Sequence, residues 1–142
     1  MGSASHKRAG SYIAVRTSLA VPEALKLAEE VALQVLKRRP DKPGPIVVTQ
    51  RGEKSLTFTV VNIRRKAILR FALGVSSTEA ETRLRSKITY FRTTQDKLLG
   101  IIPIGPKVLS GWQIYATFME SFELAIRDRD QAAESSIVVA AG

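Results

Sequence analysis

Apolar and polar positions alternate along several stretches of this chain and recur with a helical period along two others. In "SYIAVRTSL" (11–19), Ile13, Val15 and Leu19 fall on one side and Arg16 and Ser18 on the other, the pattern of a half-buried strand. In "VPEALKLAEEVALQVLKRR" (21–39), Leu25, Ala28, Ala32, Val35 and Leu36 make one apolar stripe, which predicts an amphipathic helix. Pro22 suits its first turn and Glu23 the positive end of its dipole. Lys37, Arg38 and Arg39 suit its negative end, and Pro40 stops it.

After the turn-rich "PDKPGP" (40–45), four more strands are expected. They are "IVVTQ" (46–50), "SLTFTVVNI" (55–63), "KAILRFALGVSS" (66–77) and "RLRSKITYFRTT" (83–94), separated by short turns. The last of them places Leu84, Ile88 and Tyr90 on one face and Arg83, Arg85 and Lys87 on the other. Strands in this order read as an antiparallel meander. "GWQIYATFMESFELAIRDRD" (111–130) is then a strong helix with Phe118 and Phe122 on its apolar face. The sum is an α+β domain: an antiparallel sheet of about five strands, with an N-terminal helix and a long C-terminal helix packed on one face. Residues 1–10 read as a disordered arm or tag remnant, 11–128 as the single domain, and 129–142 as a flexible tail with an apolar patch at 137–139.

One segment breaks the pattern. "LLGIIPIGPKVLSGWQIYATF" (98–118) begins as a Gly- and Pro-rich loop, yet it carries Leu98, Leu99, Ile101, Ile102, Ile104, Val108 and Leu109. Loops lie at the surface and are usually polar, so these side chains must cover something or be covered. Gly100 and Gly105 have the separation of a phosphate loop, but Pro106 removes the next N–H and no hydroxyl follows Lys107, so a nucleotide-phosphate site is not expected.

Composition narrows the chemistry. The 142 residues suffice for one domain and its core. No apolar run is long enough to cross a membrane as a helix. Without cysteine there is no disulfide, thiolate metal site or thiol nucleophile, and a cytoplasmic location is expected. The single histidine, His6, lies in the arm, which sets aside histidine triads and histidine-rich metal centres. No cofactor or metal is expected. The formal charge of +9 is unevenly spread: residues 37–107 carry sixteen Lys/Arg against five Asp/Glu, and residues 108–142 carry two against five. That imbalance points to an anionic partner.

Two stretches resemble a known family. "VRTSLAVPEALKLAEEV" runs from a strand into a helix through a Val-Pro-Glu junction, and "SGWQIYATFMESFELAI" is an aromatic-rich last helix after a Gly/Pro loop. Together they resemble the small helix-grip domains of START-like and polyketide-cyclase-like proteins. "LLGIIPIGPKVLSGWQIYATFM" is also similar to a short, uncharacterised actinobacterial family. The resemblance implies a pocket between the C-terminal helix and the sheet and implies no shared catalytic set.

These features support two functional expectations. The first is a non-catalytic binding protein for an apolar or amphipathic small molecule, or a small interaction module. Phe58, Phe71, Tyr90, Ile102, Ile104, Trp112, Tyr115, Phe118 and Met119 would line its pocket, with the 98–109 loop forming part of the wall. The alternative is a basic-surface protein that binds nucleic acid or another anionic partner. Arg64, Lys66, Arg70, Arg83, Arg85 and Lys87 would then act from the uncovered sheet face. Peripheral membrane contact through the 98–109 loop is a further use of its apolar residues. Enzymatic activity has no positive signal, because the carboxylates form no evident acid–base pair.

Overall fold

The computed structural model describes residues 6–95, 97–103, 105 and 107–140. A single 3-10 turn, Lys7–Gly10, leads into β1 (Tyr12–Thr17) and α1 (Val21–Gln34). The meander β2 (Ile46–Arg51), β3 (Ser55–Val61), β4 (Ala67–Ser77) and β5 (Thr82–Phe91) comes after them. Four two-residue strands come next: β6 (Thr93–Thr94), β7 (Lys97–Leu98), β8 (Ile102–Pro103) and β9 (Val108–Leu109). Helix α2 (Trp112–Arg129) and strand β10 (Glu134–Val138) complete the fold.

The main sheet has six antiparallel strands in the order β10-β1-β5-β4-β3-β2, and both helices pack on one of its faces. The α+β class is as the periodicity predicts. The sixth strand is a correction: residues 134–138, expected in a flexible tail, form an edge strand in register with β1, from Tyr12↔Val138 to Arg16↔Glu134. Residues 7–10, expected in a disordered arm, form the 3-10 turn, and His6 Nε2 lies 3.0 Å from the Lys107 carbonyl oxygen. Helix α1 is shorter than its apolar stripe suggests. Val35 is extended and buried, and Leu36 turns left-handed at φ 51°, so Lys37, Arg38 and Arg39 lie beyond the helix.

The covered face carries Ile13 and Val15 of β1, Leu84 and Ile88 of β5, Phe71 and Leu73 of β4, and Phe58 and Val60 of β3, all buried. Against them α2 sets Tyr115, Phe118, Met119, Phe122 and Ile126, and α1 sets Ala24, Leu25, Ala28 and Ala32. Small alanines on α1 let it lie close to α2 and the sheet. Among the described residues, no helix is long and apolar enough to cross a membrane.

Asp130 ties the end of α2 to the junction of β1 and α1. Its Oδ2 accepts from Thr17 Oγ1 at 2.8 Å, Ser18 N at 2.8 Å and Ser18 Oγ at 3.1 Å, and its Oδ1 accepts from Ala132 N at 3.1 Å. These bonds, the Ser18 N–H first, favour the charged form and hold its pKa below the usual aspartate value. Glu81 is held at about 2 from 4.5, chiefly by the Arg16 guanidinium and then by Arg83. Carboxyls lowered in this way contribute stability that is complete above their unfolded pKa and is lost as pH falls through the folded one. The melting temperature should therefore drop as pH goes from 4.5 towards about 2, the interval spanned by Glu81. Asp130→Asn should flatten part of that drop. A thermal unfolding series with the same acid slope in both proteins would remove Asp130 from this role.

Candidate anion-binding surface

The interior is built from side chains expected to line a pocket. Phe58 and Phe71 stack with centroids 5.1 Å apart, and Phe118 lies 4.9 Å from Phe71 and 5.5 Å from Phe58. Tyr115 lies 4.7 Å from Phe71, and Trp112 meets Tyr115 edge-on at 6.2 Å. Met119 is buried beside them. The Tyr115 hydroxyl is used internally. The Ile13 N–H donates to Ser86 Oγ at 3.0 Å, Ser86 and Tyr115 share a 2.7 Å hydrogen bond, and the Tyr115 hydroxyl donates to the Ser11 carbonyl at 3.1 Å. Burial pushes the Tyr115 phenol up to about 12. Among the described residues no buried side-chain nitrogen or oxygen lacks a partner.

Two of the expected lining residues are elsewhere. Tyr90 is a correction with a clear cause. The β4–β5 register runs Arg70↔Tyr90 and then Phe71↔Ile88, so Thr89 is the extra residue of a bulge. One extra residue reverses the facing of the residues after it, and Tyr90 stands on the outer face, 39% exposed, with the Arg70 guanidinium 5.3 Å from its ring centre. Ile102 is the second correction: it is exposed on β8, in a hairpin that projects from the body instead of forming a pocket wall. Ile104 lies outside the described residues.

The outer sheet face is uncovered by helix. A hollow of about 1160 Å³ lies on it, floored by small residues including Ala14, Ala72, Gly74 and Ser76 and flanked by Arg83, Arg85 and Lys87. The Arg85 guanidinium sits 3.8 Å over the Tyr12 ring. Arg70 reaches Thr59 Oγ1 at 3.3 Å. Towards one side the cations are neutralised: Arg16 pairs with Glu81 at 2.7 Å and Glu134 at 3.4 Å, and Arg83 meets Glu81 at 3.4 Å. Arg70, Arg85 and Lys87 make no ion pair among the described residues. Tyr12 and Tyr90 thus supply aromatic rings on a cationic face. Arg64 and Lys66 are not on that face: they belong to the β3–β4 turn, where both backbone N–H groups donate to Asn62 Oδ1.

That turn belongs to a larger asymmetry. Because every strand is antiparallel to its neighbours, the connecting segments alternate between the two ends of the sheet. At one end lie segments 6–11, 35–45, 62–66 and 92–111, which carry twelve Lys/Arg and two Asp/Glu. At the other lie 18–20, 52–54, 78–81 and 130–133, with one Lys/Arg and four Asp/Glu. The balance is +10 against −3.

The apolar loop projects from the cationic end. Thr93↔Leu109 and Thr94↔Val108 continue the chain beyond β5, and Lys97↔Pro103 and Leu98↔Ile102 carry the hairpin's last rungs. Leu99 and Gly100 form its turn at φ 54° and 73°, and the Ile101 N–H donates to the Leu98 carbonyl at 3.1 Å. Positive φ at both central positions is the pattern of a type I′ turn, here set in the three-residue connection between Leu98 and Ile102. Leu99 is 85% and Ile101 79% exposed. Buried Leu109 and Trp112 anchor the base, and Arg8 stacks over Trp112 at 4.8 Å. No family model matches the chain, and no curated protein matches it.

Proposed function

We propose that this chain is a non-catalytic binding module for an anionic macromolecular partner, engaged by the cationic end and the adjoining outer sheet face. The observation that carries this reading is the charge segregation, +10 at one end against −3 at the other. Solubility alone asks for net charge, not for its concentration at one end. Arg70, Arg85 and Lys87, without an ion pair among the described residues, extend the positive region along β4 and β5. The element order, with a last helix laid on an antiparallel sheet, also supports reading the fold as helix-grip-like. In that reading the aromatic cluster occupies the place of the ligand pocket.

The test uses three polyanions: heparin, a fluorescein-labelled single-stranded oligonucleotide, and vesicles containing phosphatidylglycerol. At low salt at least one should bind. For the oligonucleotide, roughly three engaged phosphates give a slope of log K against log salt of about −2. Arg85→Glu should weaken oligonucleotide binding about tenfold, on the order of one lost charge-assisted contact. Glu120→Gln, exposed on α2, serves as the control. Binding of none of the three at low salt would sink the reading.

A further inference from the structure

We propose that the β7–β8 hairpin is a membrane-inserting tip, and that the anionic partner is a lipid bilayer containing acidic headgroups. The inference rests on the anionic-partner reading and names the partner.

The tip presents Leu98, Leu99, Ile101 and Ile102 to solvent, and no described residue covers them. It has a neighbour of the same character. Ile63, 99% exposed, stands at the β3–β4 turn at the same end of the sheet, with Arg64, Arg65 and Lys66 directly after it. Two aliphatic prongs therefore rise from a collar of cations, Lys97 and Lys107 among them, both exposed. That arrangement fits an acidic bilayer, whose headgroups meet the collar while the acyl boundary takes the aliphatic side chains.

The backbone at the tip is compatible with replacement of its leucine, as it is at Leu36 and Arg65, the other non-glycine residues with positive φ among the described residues. The first central position of a type I′ turn favours Asn, Asp or Gly, which tolerate positive φ. This chain holds leucine there at φ 54°. A leucine in the left-handed region is strained by its Cβ, and packing does not require it, because the side chain touches no core. Nucleic acid would gain little from an aliphatic tip, since bases stack on aromatic rings.

The experiment is vesicle sedimentation with the full chain, using phosphatidylcholine alone and phosphatidylcholine with one-third phosphatidylglycerol. The variant Leu99→Asn with Ile101→Asn removes the apolar tip and places a residue suited to positive φ in the turn. Vesicles containing phosphatidylglycerol should bind the parent protein and phosphatidylcholine alone should not. The double variant should lose at least about tenfold in partitioning while its melting temperature stays level or rises. Ile101→Trp should be quenched by brominated lipid, against the constant signal of buried Trp112. Unchanged vesicle binding by the double variant would reduce the contact to charge adsorption and overturn insertion. Oligonucleotide or heparin binding without vesicle binding would also overturn it, leaving the broader reading in place with a different partner. Failure of all three polyanions would remove both.

Discussion

Phe71→Ala should destabilise the protein by about 3–5 kcal/mol, the range for removing a fully buried phenylalanine. The residue is the hub of the interior: its ring contacts Phe58 from β3 and Tyr115 and Phe118 from α2. Truncation loses transfer free energy and leaves a void between the sheet and α2. These rings cannot collapse into it easily, because Tyr115 is pinned by its hydrogen bonds to Ser86 and Ser11. A small domain has roughly 5–15 kcal/mol in total, so the variant should be largely folded but much weakened. Urea unfolding should show a lower midpoint with an unchanged slope. A loss below about 1 kcal/mol would mean that the rings do not form a close-packed centre, and would reopen the interior as ligand space.

Gly111→Val should come second, at about 2–4 kcal/mol, for two separable reasons. Gly111 caps α2 at φ 80°, where a β-branched residue is strained. Its missing Cβ also faces the sheet. A Cβ built there would stand 3.3 Å from Val60 Cγ1 and 3.4 Å from both Ile68 Cδ1 and Leu69 Cβ. The chain leaves the hairpin and enters α2 at this residue, pressed against β3 and β4. Gly111→Ala brings the backbone strain and the same Cβ contacts and should cost about 1–2 kcal/mol, so the further loss in the valine variant comes from its γ carbons pressing on β3 and β4. Equal stability of the two variants in urea titrations would show that β3 and β4 accommodate the valine γ carbons and that side-chain bulk beyond Cβ adds no cost.

Much of the fold was legible because its signals are local. The alternation in "SYIAVRTSL" and "SLTFTVVNI" reports one buried face without reference to any partner, and the α2 stripe does the same at a helical period. The features that escaped depend on partners. The Thr89 bulge exists only in the pairing of β4 with β5, so strict alternation carried Tyr90 to the wrong face. Strand β10 is a short edge strand with two serines, and its place comes from β1, more than a hundred residues away. Arg83, Arg85 and Lys87 were legible as one outward row. The concentration of charge was only half visible, as a basic middle of the chain. It becomes an end of the molecule once the antiparallel pairing brings 6–11, 35–45, 62–66 and 92–111 together.

That separation of charge has a kinetic consequence. A body positive at one end and negative at the other experiences a torque in the field of an anionic surface. Within about a Debye length, roughly 8 Å at physiological salt, it should turn before it touches, bringing Leu99 and Ile101 forward and the Glu81 end away. The fraction of collisions that are productive then rises even if the final contact is unchanged. Reversing the polarity of the far end, for example with Glu79→Lys and Glu53→Lys, raises the net charge by four and should speed encounter with an anionic surface while lowering the fraction of encounters that are productive, although neither residue lies near the hairpin.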